Sequence, residues 1–184
     1  MKFHICATEL GWIGVVVSAA GLRAMTLPRE SRDDALRQVL ALGAHEETPE
    51  SALNGLAERL RRYARGEAVA FPEALDFHGV SPFRRAVWEA TREIPRGQTC
   101  SYADLAARVG RPRAARAVGQ AMARNPWPIV VPCHRVVARG GGLCGYGGAD
   151  GSADPRPGLD TKERLLRLEG AQWIARPGFS PSLC

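Results

Sequence analysis

Lysine is nearly missing from this sequence. Of 25 basic residues only Lys2 and Lys162 are lysine, so a net charge of +6 rests almost wholly on guanidinium groups. The preference for arginine over lysine reads as a coding bias; the excess of positive charge is a separate matter and favours a polyanionic partner, because phosphate contacts draw on such charge. Cysteine is also sparse. Cys6, Cys100, Cys133, Cys144 and Cys184 are odd in number and no CxxC occurs, which argues against a disulfide framework. His4 with Cys6 offers two metal ligands without a second pair, so no metal is expected. No apolar run nears the roughly 18 residues of a membrane span. His4, Glu9 and two glycines interrupt the N-terminal "MKFHICATELGWIGVVVSAAG", which lacks a signal-peptide plan. The expectation is a cytoplasmic protein with no membrane partner.

What is present fits a globular chain. Its 184 residues, 45% hydrophobic and 24% charged, suffice for one large domain or two small ones. Residues 2–8 and 11–27 read as strands, with Gly11 and Gly21 as turn points. "SRDDALRQVLALGA" reads as a helix capped by Ser31 and stopped at Gly43. "ESALNGLAERLRRYARGE" reads as a second helix, with Leu53, Leu56, Leu60 and Tyr63 at helical spacing. "AVAFPEALDF" returns to strand or extended chain. Residues 1–77 hold no catalytic constellation and read as a scaffold.

From Ser81 the texture changes. Ser81 and Pro82 open a helix that Pro95 and Gly97 stop. Ser101 and Asp104 form a capping-box pattern at the start of "SYADLAARVG". After a short "RPR" turn comes "AARAVGQAMARN", giving a helix-turn-helix shape. On a helical wheel Arg116, Gln120 and Arg124 form one row, and Ala115, Gly119 and Ala123 the row beside it. Val118 and Met122 point the opposite way, into a core. The outer strip is small residues flanked by guanidinium groups, a surface for close approach to phosphates or bases; the bland alternative is an alanine-rich helix with a solvated edge. Gly119 favours the first, since glycine inside a helix costs about 0.8–1 kcal/mol relative to alanine. Residues 139–158 read as glycine-rich loop, and "DTKERLLRLEG" as a last helix capped by Asp160 and stopped by Gly170.

The chemistry concentrates in "NPWPIVVPCHRVV". A strand-like "IVV" leads to Cys133, His134 and Arg135. Neighbours on a strand face opposite ways, so a turn at Pro132–Cys133 is required to bring thiol and imidazole to one site. Glu169, near the end of the last helix, is the candidate to orient the imidazole, in a nucleophile–base–orienter arrangement. The bland alternative is a structural cysteine with polar neighbours.

"PCHRVV", with "NPWPIV" before it and "GYGG" after it, closely resembles the active-site motif of the O6-alkylguanine-DNA alkyltransferases. The resemblance extends through "SPFRRAVWEATREIPRGQTCSYADLA", "AARAVGQAMARNP" and "KERLLRLEG", roughly residues 77–170. It implies an α+β fold: an N-terminal α/β (ribonuclease H-like) domain at 1–77, then a mostly helical domain at 78–184 with a helix-turn-helix (winged-helix-like) unit. It implies single-turnover transfer of an alkyl group from O6 of guanine in duplex DNA, with O4-alkylthymine as a second candidate adduct, to Cys133. No cofactor is expected, and the chain is expected to be a monomer. By the resemblance His134 acts as base through a water, Glu169 orients it, and Tyr102 supplies a proton and presses on the phosphate backbone. Arg116 fills the place of the flipped guanine. Ser101, Ala115, Gly119, Gln120, Ala123, Arg124 and Arg139 complete the DNA-facing set, in the minor groove. Asn125 is the hinge between recognition helix and active-site segment. Met122, Pro128, Tyr146 and Gly147 line the pocket, and the main chain of Cys133 and Val136 reads the guanine edge.

The sequence departs from the family pattern in the long loop at 147–160 and at Gly147, where many relatives carry a serine. Cys144 adds a second thiol there, read as incidental, with an oxidation partner of Cys133 as the other reading. Rival functions are a lesion-binding protein without transfer chemistry, in which the cysteine is replaced, and a Cys-His hydrolase, which leaves Arg116 unexplained. A transcription factor needs base-reading side chains where this helix has alanine and glycine.

Overall fold

A computed structural model describes residues 1–143 and 156–173, and the side chains of 156 and 157 lie outside that description. Tyr146, Gly147 and Cys144 therefore fall outside the described residues. The fold is a mixed α+β arrangement of two compact units: residues 1–78 with 126–130, and residues 79–125 with the described residues from 131 onward.

In the first unit, β1 (Lys2–Thr8), β2 (Gly11–Ser18) and β3 (Gly21–Met25) form an antiparallel meander, and the two-residue β4 (Glu46–Glu47) runs parallel to β1 at the other edge. Strand alternation sends Phe3, Ile5, Val16 and Ala24 to one face, where they bury Ala35 and Val39 of α1 (Arg32–Ala41). Gly14 permits that approach, since a Cβ there would lie 2.4 Å from Val39 Cγ1. Ser31 caps α1 by accepting from the Asp34 N–H.

The pattern at 50–67 is not one helix. A 3-10 turn at Glu50–Leu53 ends at Asn54 and Gly55, both left-handed, and α2 (Leu56–Ala64) starts afresh. An Asn-Gly pair tolerates positive φ, and here that local preference beats the leucine spacing. Residues 68–77 are extended, with one bridge between Leu75 and Leu22. The segment 126–130, distant in sequence, belongs to this unit: Trp127 Nε1 donates to Leu22 O at 2.8 Å, and the Met25 N–H donates to Pro126 O at 2.7 Å.

The second unit packs α3 (Pro82–Arg92), α4 (Tyr102–Arg108) and α5 (Ala115–Ala123) around Val87, Trp88, Leu105, Val118 and Ala121. Ser81 accepts from the Arg84 N–H and Pro82 takes the first helical position. Ser101 caps α4 by accepting from the Asp104 N–H, and its hydroxyl donates to the Asp104 carboxylate. Trp88 Nε1 donates to Ala121 O at 3.0 Å, tying α3 to the end of α5. β5 (Cys100–Ser101) pairs in parallel with β6 (Val136–Val137).

Two expectations fail here. "IVV" is not a strand: Ile129 has φ 74 and the chain turns through 129–131. β-branched composition cannot signal a turn set by neighbouring prolines and by the packing of 126–130. Likewise α6 (Arg156–Leu168) begins four residues before Asp160, so Asp160 lies inside the helix and the loop is shorter than 147–160. Pro157 sits in the first turn, where its missing N–H costs nothing. The other end of α6 is as expected. Gly170 has φ +67, its N–H donates to Arg167 O, and the Ala171 N–H donates to Leu166 O at 3.0 Å. These two bonds form a Schellman motif and make Glu169 the C-cap residue.

Candidate active site

Cys133, His134 and Arg135 occupy a single 3-10 turn that starts after Pro132. Successive residues on such a turn point about 120° apart, against 180° on a strand, and this answers how a thiol and its neighbouring imidazole both face inward. Cys133 is 6% exposed and His134 fully buried.

His134 Nε2 meets Glu169 Oε1 at 2.9 Å. Burial drives the His134 pKa below its ordinary value, with Glu169 pulling the other way, so the ring is neutral at neutral pH. Burial alone would raise the Glu169 pKa, but hydrogen bonds from His134 and Arg135, together with their charges, hold its carboxyl far below the usual range. An ionised carboxylate only accepts, so Nε2 carries the ring proton and Nδ1 holds the basic lone pair. Arg135 grips the same carboxylate from outside. Its Nε donates to Oε2 and its Nη2 to Oε1, both at 2.8 Å, while Nη1 donates to Ile94 O at 2.5 Å. A bidentate fork fixes the plane of the carboxylate as well as its charge.

Asn125 Nδ2 donates to Val131 O at 2.8 Å and to Cys133 Sγ at 3.0 Å. The first bond joins the two ends of the 126–130 excursion. The second offers an N–H to the sulfur, which favours a thiolate because an anion accepts more strongly than a thiol. Lys162 is fully buried on α6, with Nζ donating to Val136 O at 2.7 Å and standing 5.8 Å from the Tyr102 ring centroid. Burial pulls its pKa down to about 8 against the attraction of Cys133. Burial pushes the Tyr102 hydroxyl up, and negative charge at Cys133 adds to that, so it stays protonated and able to donate.

The helix surface expected to face DNA is laid out on α5. Arg116, Gln120, Ala123 and Arg124 are exposed, and Ala115 and Gly119 half-buried. A Cβ on Gly119 would meet only the Tyr102 ring, at 4.0 Å, so packing within the chain does not demand glycine there. Ser101 is the N-cap of α4, and Arg139 is exposed in the turn after β6. Met122 is buried with its sulfur accepting from Thr91 Oγ1 at 3.8 Å, in the core between α3 and α5. Pro128 is buried within the segment that clusters with the first unit. Both main-chain groups of Val136 are already engaged, its N–H with Cys133 O and its carbonyl with Lys162, which leaves one lone pair on the carbonyl oxygen.

Sequence reasoning missed Lys162, Arg135 as a clamp, and the Asn125–sulfur bond. Lys162 had a signal: it shares the apolar face of Leu165, Leu166 and Glu169 at helical spacing, an odd place for one of two lysines. Among the described residues no cluster of three potential metal ligands occurs, and no helix is long and apolar enough to cross a membrane.

A thiol held beside a neutral, carboxylate-oriented imidazole, an amide donor and a buried ammonium is a nucleophile site, and known proteins match it. Residues 82–171 fit the model of the 6-O-methylguanine DNA methyltransferase DNA-binding domain. The methylated-DNA–protein-cysteine methyltransferase of Salmonella typhimurium is 42% identical over 168 residues, spanning 89% of this chain and 92% of the relative. The constitutive enzyme of that name from Bacillus subtilis is 48% identical over 125 residues, 68% of this chain and 69% of its own. The crystal structure of Mycobacterium tuberculosis OGT in complex with DNA matches with a TM-score of 0.73 at 34% identity, covering 92% of this chain and 93% of that one. The chain belongs to the methylated-DNA–protein-cysteine methyltransferase family.

Proposed function

We propose that this chain repairs DNA by direct reversal, moving the alkyl group of an O6-alkylguanine in duplex DNA onto Cys133. The observation that carries the reading is the buried chain of contacts Arg135–Glu169–His134 beside a sulfur that accepts from Asn125. His134 Nδ1 takes the thiol proton through a bound water. The thiolate attacks the alkyl carbon, an S–C bond forms, and the C–O6 bond breaks with its electron pair going to guanine. Tyr102 donates the proton that guanine then needs, next to the Lys162 ammonium. The product is a thioether, which no group in the site can cleave, so each chain reacts once. No cofactor enters.

A stacked base hides its O6 substituent, so the lesion must leave the helix, at a cost of a few kcal/mol. In this reading Arg116 takes the vacated place. Ser101, Gln120, Arg124 and Arg139 hold the phosphates and Ala115, Gly119 and Ala123 let α5 sit in the minor groove. Asn125 couples that helix to the active-site segment, and Pro128, Met122, Tyr146 and Gly147 line the pocket, the last two lying outside the described residues. Residues 1–77 form a ribonuclease H-like scaffold, 78–184 the reactive, winged-helix-like part, and the setting is the cytoplasm. A lesion-binding protein without transfer chemistry needs no nucleophile, whereas here the sulfur is served by a donor and a cation.

The test is to mix a duplex containing one O6-methylguanine with one equivalent of protein and analyse the bases. Restored guanine with wild type, and intact lesion with tight binding by Cys133→Ala, supports the reading; intact lesion with wild type refutes it.

A further inference from the structure

The last turn of α6 leaves a carbonyl that its own helix does not satisfy. The Schellman motif occupies the carbonyls of Leu166 and Arg167, through the N–H groups of Ala171 and Gly170. The next carbonyl, that of Leu168, accepts instead from Arg96 Nη2 at 2.8 Å, across 72 residues of sequence. Arg96 belongs to the turn between α3 and β5, and its neighbours in that turn meet either the helix end or the Arg135 that holds Glu169. Ile94 O accepts from Arg135 Nη1 at 2.5 Å, and a Cβ on Gly97, which has φ +75, would stand 3.2 Å from Glu169 O. The 94–97 turn therefore meets the residues around Glu169 at three points, and only Arg96 brings a charge to the negative end of the helix.

We propose that Arg96 is a positioning residue for alkyl transfer: it caps the Leu168 carbonyl and thereby fixes Glu169, the next residue, against His134. The inference deepens the alkyltransferase reading and rests on it. Glu169 acts on the thiol only through the imidazole, by raising the proton affinity of Nδ1. A Glu169 backbone free to rotate would let the carboxylate slide along the Arg135 fork and off Nε2. The imidazole would then take the thiol proton less readily, and the thiolate would form at higher pH. Among the described residues, Glu169, Arg135 and Lys162 are charged or titratable groups that face His134, and Tyr102 and Lys162 face Cys133. None of them is itself substituted when Arg96 is changed, and of the set only Glu169 adjoins the carbonyl that Arg96 caps.

The experiment follows the rate at which iodoacetamide alkylates Cys133 between about pH 5.5 and 9, by mass of the Cys133 peptide, alongside thermal melts. It compares wild type, Arg96→Met and Arg96→Lys. With Arg96→Met the midpoint moves up by roughly 0.5–1 unit, which is a loss of about 3- to 10-fold in rate near neutral pH. Arg96→Lys, which keeps a cationic donor for the same carbonyl, lies nearer to wild type. An Arg96→Met profile that superimposes on wild type overturns the inference, whatever the melts show. So does an Arg96→Lys profile no nearer to wild type than that of Arg96→Met. Because the probe needs no DNA, failure of the alkyltransferase reading would appear separately, as wild type leaving O6-methylguanine untouched.

Discussion

Residues 1–78 with 126–130 hold 9 lysines and arginines against 11 carboxylates, while the rest of the chain holds 16 against 8. In the first unit Arg23, Arg32, Arg37, Arg59, Arg61, Arg62 and Arg65 each reach a carboxylate. In the second unit Arg108, Arg111, Arg113, Arg116, Arg124 and Arg139 are exposed and, among the described residues, form no ion pair. The second unit spends its acid groups differently, burying Glu169 between an imidazole and a guanidinium. The contrast teaches that arginine content alone says little about a binding surface. What matters is whether the charge is already neutralised by its own chain.

Changes inside the buried cluster should have the largest effects. Cys133→Ala should abolish transfer while leaving DNA affinity intact, as single-turnover kinetics and binding on the same duplex would show. Glu169→Gln keeps the shape but removes the charge that orients His134, and should slow transfer by about 10²- to 10⁴-fold. Arg135→Met leaves a buried carboxylate short of a partner, and should destabilise the fold by about 3 kcal/mol in denaturant titration.

The surface comes next. Arg111→Gln with Arg113→Gln should lower the slope of log affinity against log salt by about 0.9 for each phosphate that is no longer neutralised. Arg62→Gln, on the paired side, should leave that slope unchanged and move stability by less than about 1 kcal/mol. Equal effects on the slope from both sets would break the contrast between the units.

The smallest effect is on pH. The folded pKa of His134 is depressed below its ordinary 6.5, so the unfolded state binds the proton more readily and stability falls as pH drops through 6.5. The depressed Glu169 adds a second loss as pH drops through its ordinary 4.5. His134→Asn should remove the upper of these two losses, read as a flatter melting temperature between about pH 5 and 6.5.

Much of this was legible in the sequence where a cue is local. Ser81–Pro82, Ser101 with Asp104, and Gly170 each mark a helix end through groups a few residues apart, and the structure places all three as read. The pairing of His134 with Glu169 was legible through motif order. What depended on distant packing was not. The turn through Ile129 follows from how 126–130 docks on β3, and Arg96 meets Leu168 across 72 residues, so neither leaves a periodic trace. Asn54–Gly55 is the opposite case, a local breaker hidden inside a convincing leucine spacing.

The most direct measurement is the intact mass of the protein after incubation with an excess of duplex carrying O6-methylguanine. One added methyl group per chain, mapped to Cys133 and unchanged by further substrate, is the expected result. Repeated turnover without a mass change, or a methyl group mapped to another residue, would contradict it.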